Sequence, residues 1–364
     1  MSSRVIFDGP INNLSLGNVS YNFLRELIKK NAVDGIFPVQ DRADFSAFDS
    51  PQEIKNQIIP LIHNRYRAFD RQTPTLRVWH INGAERKLTD KQYLYTFYEC
   101  DEPTFEEITI VTNQEHTFFS SSESCSHFQR AGLTNVSYIP IGFDPDLHKT
   151  NKKYLPDGVI HFGLIGKFEY RKNTRKIIQT WLKRFGNDSR YQLTCLVNNP
   201  FFEGQMMNQI LVQTLEGKNY SNINFLPHQE KNSSMNEVYN SIDIDLSGLS
   251  GSEGWGLPSF NSACLGNVCV VSNCSAHKDW AKGENIVLVE PNVKVPAYDN
   301  YFFRENQPFN QGMFWNIEEE AMLDGIERAL VKLQENPEKK ERKDLQEEFS
   351  YEKTIDRVLS VIYA

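Results

Sequence analysis

The 364-residue sequence has no CxxC pair among its six cysteines (Cys100, Cys125, Cys195, Cys264, Cys269 and Cys274), and no histidine stands at zinc-ligand spacing from any of them. That argues against zinc ribbons and thiol-redox motifs. Cys264 and Cys269 fall in an apolar run, where cysteine behaves as a small buried hydrophobe. A reduced, cytoplasmic setting is therefore expected. Long apolar runs are missing too: none approaches the ~20 residues of a membrane span. The N-terminus enters a strand-like Arg4-Val5-Ile6-Phe7 rather than a signal peptide. Contact with a membrane surface stays open. Basic charge is scarce, with 39 Lys and Arg against 47 Asp and Glu and a net charge of -8. General nucleic-acid binding needs the opposite balance.

What is present is a folded, two-domain chain. A hydrophobic content of 40% with 12% aromatics excludes disorder, and the length exceeds one ordinary core. Short apolar runs alternate with amphipathic segments throughout, the pattern of α/β layers. Strands are expected at 5–7, 35–39, 76–80, 93–98, 108–111 and 136–139, with helices at 20–30 and 51–69 and a loop at 9–18 between the first strand and the first helix. Pro140-Ile141-Gly142-Phe143-Asp144-Pro145 and the polar stretch 149–157 form the best linker. A second series follows, with strands at 160–166, 192–197, 223–226, 242–246, 268–271 and 286–289. Helices are expected at 174–185, 318–334 and 351–362. This divides the chain into 1–148, 149–345 and a closing helix, 346–364, with a cleft at the carboxyl ends of the strands.

The most informative stretch is 245–272. A buried strand ends at Leu246, a small polar loop follows, and Glu253-Gly254-Trp255-Gly256-Leu257-Pro258 opens a helix. Pro258 suits a first helical turn, and Gly254 and Gly256 allow close approach of backbone to a ligand. Exposed N–H groups at such a helix start suit a phosphate. Glu253 beside them would repel a second anion but could accept from a sugar hydroxyl. A phosphate bonded to a sugar satisfies both demands, although a plain strand-to-helix turn with a capping acid has the same outline.

Three segments carry a family resemblance. Glu253 to Asn261, followed by Ala263 to Val271, resembles the E-x7-E region of retaining GT-B glycosyltransferases, especially glycosyltransferase family 4. Glu253 matches the first glutamate, and Asn261 stands in place of the second, which bonds the donor ribose. Gly166-Lys167-Phe168-Glu169-Tyr170-Arg171-Lys172-Asn173 resembles the family's basic phosphate clamp. Lys167 and Lys172 match its two cations, Arg171 is an alternative or additional contact, and Asn173 replaces a glycine. Asn135 to Asp144 resembles the family's V-x-x-I-P-N-G-V-D linker.

The resemblance implies two Rossmann-like domains facing across a cleft, with the C-terminal helix crossing back to the first. It implies transfer of a hexose from a nucleoside diphosphate sugar to a glycan, lipid or small-molecule hydroxyl, with retention. A nucleotide-sugar 2-epimerase and a non-catalytic sugar-nucleotide binder remain alternatives. No cofactor and no metal are expected: Asp243-Ile244-Asp245 lies in an expected buried strand, and no other carboxylate pair suits a metal loop. In the acceptor domain, Gly17 and Asn18 are donor-binding candidates from the 9–18 loop, which the resemblance places close to donor and acceptor, and His80 and Glu99 are candidates from strand ends facing the cleft. His228 is a candidate for contact with the base. The basic-aromatic run Arg65, Tyr66, Arg67, Phe69 and Arg71 suits an anionic surface or a solvated helix face.

Overall fold

The computed structural model describes residues 4–49, 52–67, 70–150 and 152–364. Two six-stranded parallel sheets organise the chain. The first comprises β1 (Val5–Ile11), β2 (Val33–Ala43), β3 (Thr75–Val78), β4 (Gln92–Thr96), β5 (His116–Phe119) and β6 (Val136–Tyr138), in the order β2-β1-β3-β4-β5-β6. The second comprises β7 (Ile160–Ile165), β8 (Tyr191–Leu196), β9 (Ile223–Phe225), β10 (Ile244–Gly248), β11 (Val268–Ser272) and β12 (Ile286–Val289), in the order β12-β11-β10-β7-β8-β9. Helices cover both faces, so the central strands are buried on both sides and run nearly continuously apolar, as in Val268-Cys269-Val270-Val271.

Helices α1 (Ser15–Lys29), α2 (Gln52–His63), α3 (Phe105–Thr112) and α4 (Ser122–Arg130) belong to the first half. Two expectations are corrected here. The strand expected at 108–111 lies inside α3. Thr104 and Glu107 cap that helix reciprocally, a capping box that outweighs the β-branched run Ile108-Thr109-Ile110-Val111. The loop 9–18 is also too long, because β1 continues to Ile11 and α1 begins at Ser15. Gly17 and Asn18 therefore occupy the first turn of α1. The helix expected at 51–69 ends at His63 and continues as a single 3-10 turn, Arg65–Arg67. Pro51 and Phe69 lie outside the described residues.

The second half adds α5 (Thr174–Phe185), α6 (Gly204–Thr214), α7 (Asn232–Ser241), α8 (Leu257–Cys264) and α9 (His277–Trp280). The chain ends with α10 (Glu319–Glu335), α11 (Lys343–Glu348) and α12 (Tyr351–Ile362). As expected, α12 crosses back. Ile355, Val358 and Ile362 join the core of the first half, Thr354 Oγ1 donates to Pro140 O at 2.8 Å, and Lys30 pairs with Asp356 at 2.7 Å. Gly142 is required at this crossing, because a Cβ there would sit 2.0 Å from Tyr351 N. No helix among the described residues is long and apolar enough to cross a membrane.

A strap between β12 and α10 was not foreseen. Its strands β13 (Val293–Pro296) and β14 (Met313–Asn316) pair antiparallel, and residues 297–312 connect them. Ala297, Phe303 and Phe314 pack into the first half beside Leu94, Tyr98 and Phe128. Asp101 accepts from Lys294 Nζ at 2.6 Å and Met313 N at 2.7 Å, so the strap fastens one domain to the other.

Asp245, on the central strand β10, is fully buried. Burial pushes its carboxyl up to about 7, against opposing hydrogen bonds from Ser247 and Ser262. An unfolded aspartate titrates near about 3.9. The folded chain therefore keeps a proton that the unfolded chain releases between these values, and this group's contribution to stability falls as pH rises through that window. Asp245→Asn should gain in melting temperature relative to the parent as pH is raised from about 5 to about 8. A gap between the two that stays constant with pH would refute this.

Candidate functional site

Two loops at the carboxyl ends of β7 and β10 build the site. The first, after Ile165, turns at Gly166 (φ 149°), where the Lys172 side chain passes so closely that a Cβ would lie 3.3 Å from its Cδ. Asn173, at the start of α5, adopts the left-handed conformation (φ 53°) and donates from Nδ2 to Leu249 O at 3.0 Å. Asparagine tolerates this region better than most residues, which explains how it stands where the resemblance expects glycine.

The second loop reaches α8 through Gly254 and Gly256. Gly256 has φ 81°, and a Cβ there would meet His277 Nε2 at 2.6 Å. Gly254 is pressed against Phe97 of the first domain, and Ser120 Oγ donates to its carbonyl at 2.7 Å. Ser252 Oγ donates to Glu99 O. Trp255 is buried, edge-on to Phe260 and Phe349 at 5.3 Å each. Leu257 is the first residue of α8.

Between these loops lies a chain of alternating charges. Lys172 Nζ meets Glu253 Oε1 at 2.5 Å, and Arg171 Nη1 meets Glu253 Oε2 at 3.0 Å. Arg171 Nη2 lies 3.1 Å from Glu169 Oε2 and 4.0 Å from Glu99 Oε1. Lys167 Nζ meets Glu169 Oε1 at 2.7 Å. Burial alone would raise the Glu253 carboxyl, but Arg171 and then Lys172 outweigh it and hold the group well below the usual range. The Arg171 guanidinium is raised in turn: burial opposes its charge, and Glu253, Glu169 and Glu99 overcome that.

Exposure separates the three cations. The Arg171 side chain is 6% exposed and also donates to Ser252 O, whereas Lys172 is 14% and Lys167 38% exposed. Lys167 reaches solvent, Lys172 is largely enclosed against Glu253, and Arg171 is the most deeply buried of the three. His277, under Gly256, is driven down to about 4 by burial against the pull of Glu253.

The remaining expected residues scatter more widely. His80 follows the end of β3, open to solvent yet crowded by protein. That crowding lowers its pKa, with Glu99 opposing and Lys167 assisting. Asn261 is buried on α8 and contacts the Tyr239 hydroxyl, and its Oδ1 has no hydrogen-bond partner among the described residues. His228 is exposed after β9. Asn18 Nδ2 donates to Asn232 Oδ1 at 3.2 Å, beside Asp146 and Arg25, and Gly17 packs so closely on Asn12 that a Cβ would lie 2.2 Å from its Oδ1. That polar cluster joins the domains near the linker. Arg65 is spent on Asp41 at 3.0 Å and on the Tyr66 ring at 4.7 Å. The sequence reading missed the role of Glu169, although a carboxylate inside a run of three cations was a visible signal.

With this geometry in view, solved structures supply the fold. The chain is similar to a sucrose-phosphate synthase from Thermosynechococcus elongatus, with a TM-score of 0.68 and 12% identity over 99% of this chain and 98% of that one. It is also similar to the α,α-trehalose 6-phosphate synthase of Burkholderia multivorans, with a TM-score of 0.61 and 13% identity over 99% and 98% of the two chains. Anabaena HepE in complex with UDP matches with a TM-score of 0.61 and 11% identity over 99% of both chains. No family model matches the sequence, and no curated protein does. At these identities the likeness is one of architecture: the chain has the GT-B fold, end to end.

Proposed function

We propose that this chain is a metal-independent retaining glycosyltransferase that moves a hexose from a nucleoside diphosphate sugar to an acceptor hydroxyl on a glycan, lipid or small molecule. The observation that carries the reading is the Lys172–Glu253 pair, which joins the two loops at the cleft and is braced from below by Arg171. A departing nucleoside diphosphate gathers negative charge, and preorganised cations stabilise it without reorganising. Lys172 and the more exposed Lys167 supply that charge, and backbone N–H groups of residues 255–257 add dipoles. Glu253, kept ionised, accepts from the sugar hydroxyls. His80 and Glu99 contact the transferred sugar or the acceptor from the opposite wall. The unpartnered Oδ1 of Asn261 is an acceptor at the position the resemblance gives to ribose. All six cysteines are free and buried, in keeping with a reducing, cytoplasmic setting.

A thermal-shift series with UDP-glucose, GDP-mannose, ADP-glucose and TDP-glucose tests the donor. A true donor at 100 times its Kd stabilises the fold by about 2.7 kcal/mol. Transfer to an acceptor panel then tests the reaction. Stabilisation by none of the four would sink the reading. Conversion of donor alone into an isomerised sugar nucleotide would replace it with an epimerase.

A further inference from the structure

Two loops distant in sequence gather four aromatic rings beside Lys167. Phe201 and Phe202 follow β8, and Tyr301 and Phe302 come from the strap. Phe201 and Phe302 meet edge to face at 5.4 Å, and Phe202 and Tyr301 do so at 4.7 Å. Tyr301 OH donates to Phe201 O at 2.7 Å and locks the loops together. Lys167 Nζ lies 5.4 Å from the Phe201 ring centre and 5.1 Å from that of Phe302. Despite this packing, Phe201 is 52% and Tyr301 39% exposed. Rings fixed from both sides yet left open to water at the edge of a charged cleft are characteristic of a binding surface.

We propose that this platform is a subsite for a pyranose ring of a saccharide acceptor, stacked by its C–H face on Phe201 and Tyr301 with Lys167 at its edge. The proposal rests on the glycosyl-transfer reading above and narrows its acceptor to a carbohydrate. The negative faces of aromatic rings attract C–H bonds that carry partial positive charge, and the Lys167 ammonium and Tyr301 hydroxyl offer partners for sugar hydroxyls. Location favours the acceptor over the donor base. Half of the platform comes from the strap, which is also fastened to the first domain: Asn310 N donates to Glu107 Oε1 at 2.8 Å, and Thr104 Oγ1 to Pro308 O at 2.6 Å. Lys167, paired with Glu169 at 2.7 Å, makes the platform continuous with the charged cluster of the clamp.

Saturation-transfer NMR on the full chain tests this, with methyl β-D-glucopyranoside, methyl β-D-galactopyranoside and methyl α-D-mannopyranoside as probes, with and without the four sugar nucleotides. At least one glycoside should bind through its ring C–H protons. The double variant Phe201→Leu, Tyr301→Leu, which keeps apolar bulk but removes the rings, should weaken it by about tenfold. Tyr301→Phe keeps the ring but removes the hydroxyl that ties the loops and faces the sugar, so it should weaken binding clearly less than the double variant. Stabilisation by sugar nucleotide should be unchanged in both variants. Binding of no glycoside, or equal binding by the double variant, would overturn the proposal. So would loss of nucleotide stabilisation with glycoside binding intact, which would make the platform a base-stacking surface. Glycoside binding where no sugar nucleotide stabilises the chain would keep the saccharide subsite and reject the donor reading instead.

Discussion

Lys172→Ala should lower turnover by about 10²- to 10³-fold, the range found when one preorganised donor to a developing negative charge is removed. The fold should survive. Lys172 is the outer partner of Glu253, and without it the carboxylate keeps Arg171 at 3.0 Å. No buried charge is stranded, so the stability cost is about 1 kcal/mol. The two readings are therefore separable: the initial rate of sugar transfer at saturating donor falls steeply, and the melting curve scarcely moves. Lys167→Ala should follow in the same direction with a smaller drop, because its side chain is more exposed and its charge better screened. Turnover within threefold of the parent in Lys172→Ala would remove the lysine from the reaction and with it the clamp.

The architecture was legible because its signals are local. The runs Ile160 to Ile165 and Val268 to Val271 are short, apolar and bounded by loop residues, and they are strands enclosed by helices on both faces. The order of the phosphate and sugar motifs placed the site at the carboxyl ends of β7 and β10, where the structure brings Lys172 and Glu253 together. What failed was short or depended on distant partners. β5 is four residues, His116–Phe119, too short to declare a period. Ile108 to Val111 has the composition of a strand, and only the Thr104–Glu107 cap shows it to be a helix. The strap has no apolar stripe of its own, because Phe303 and Phe314 are buried by residues some two hundred positions earlier. Arg171 had the composition of a phosphate ligand. Its burial beneath Glu253 follows from the close approach of Gly251 to the Arg171 backbone, where Gly251 N donates to Arg171 O at 2.8 Å, and no motif records that approach.

That burial gives Arg171 a different test from Lys172. Arg171→Met should destabilise the chain by about 3–5 kcal/mol, the usual cost of breaking a buried ionic pair, because Arg171 is a buried cation shared by Glu253 and Glu169. Glu169 would retain only Lys167, and Glu253 only Lys172, each with an inner carboxylate oxygen facing apolar sulfur instead of a guanidinium. The melting temperature should fall by roughly 10 °C, with sugar transfer lost in parallel because Glu253 is no longer held. Arg171→Lys should recover little, since one ammonium cannot reproduce a fork that reaches Glu253, Glu169 and the Ser252 carbonyl together. The same logic makes Glu253→Ala a poor probe of chemistry: it takes the carboxylate from Lys172 and one of two close carboxylates from the buried Arg171, and so couples any loss of rate to a loss of fold. Glu253→Gln preserves the volume and one acceptor oxygen and is the cleaner variant. An Arg171→Met protein that melts within about 2 °C of the parent would mean that the buried charges contribute nothing to stability. Arg171 would then have to act on the ligand directly, and the division of the cations into two that bind and one that braces would be wrong.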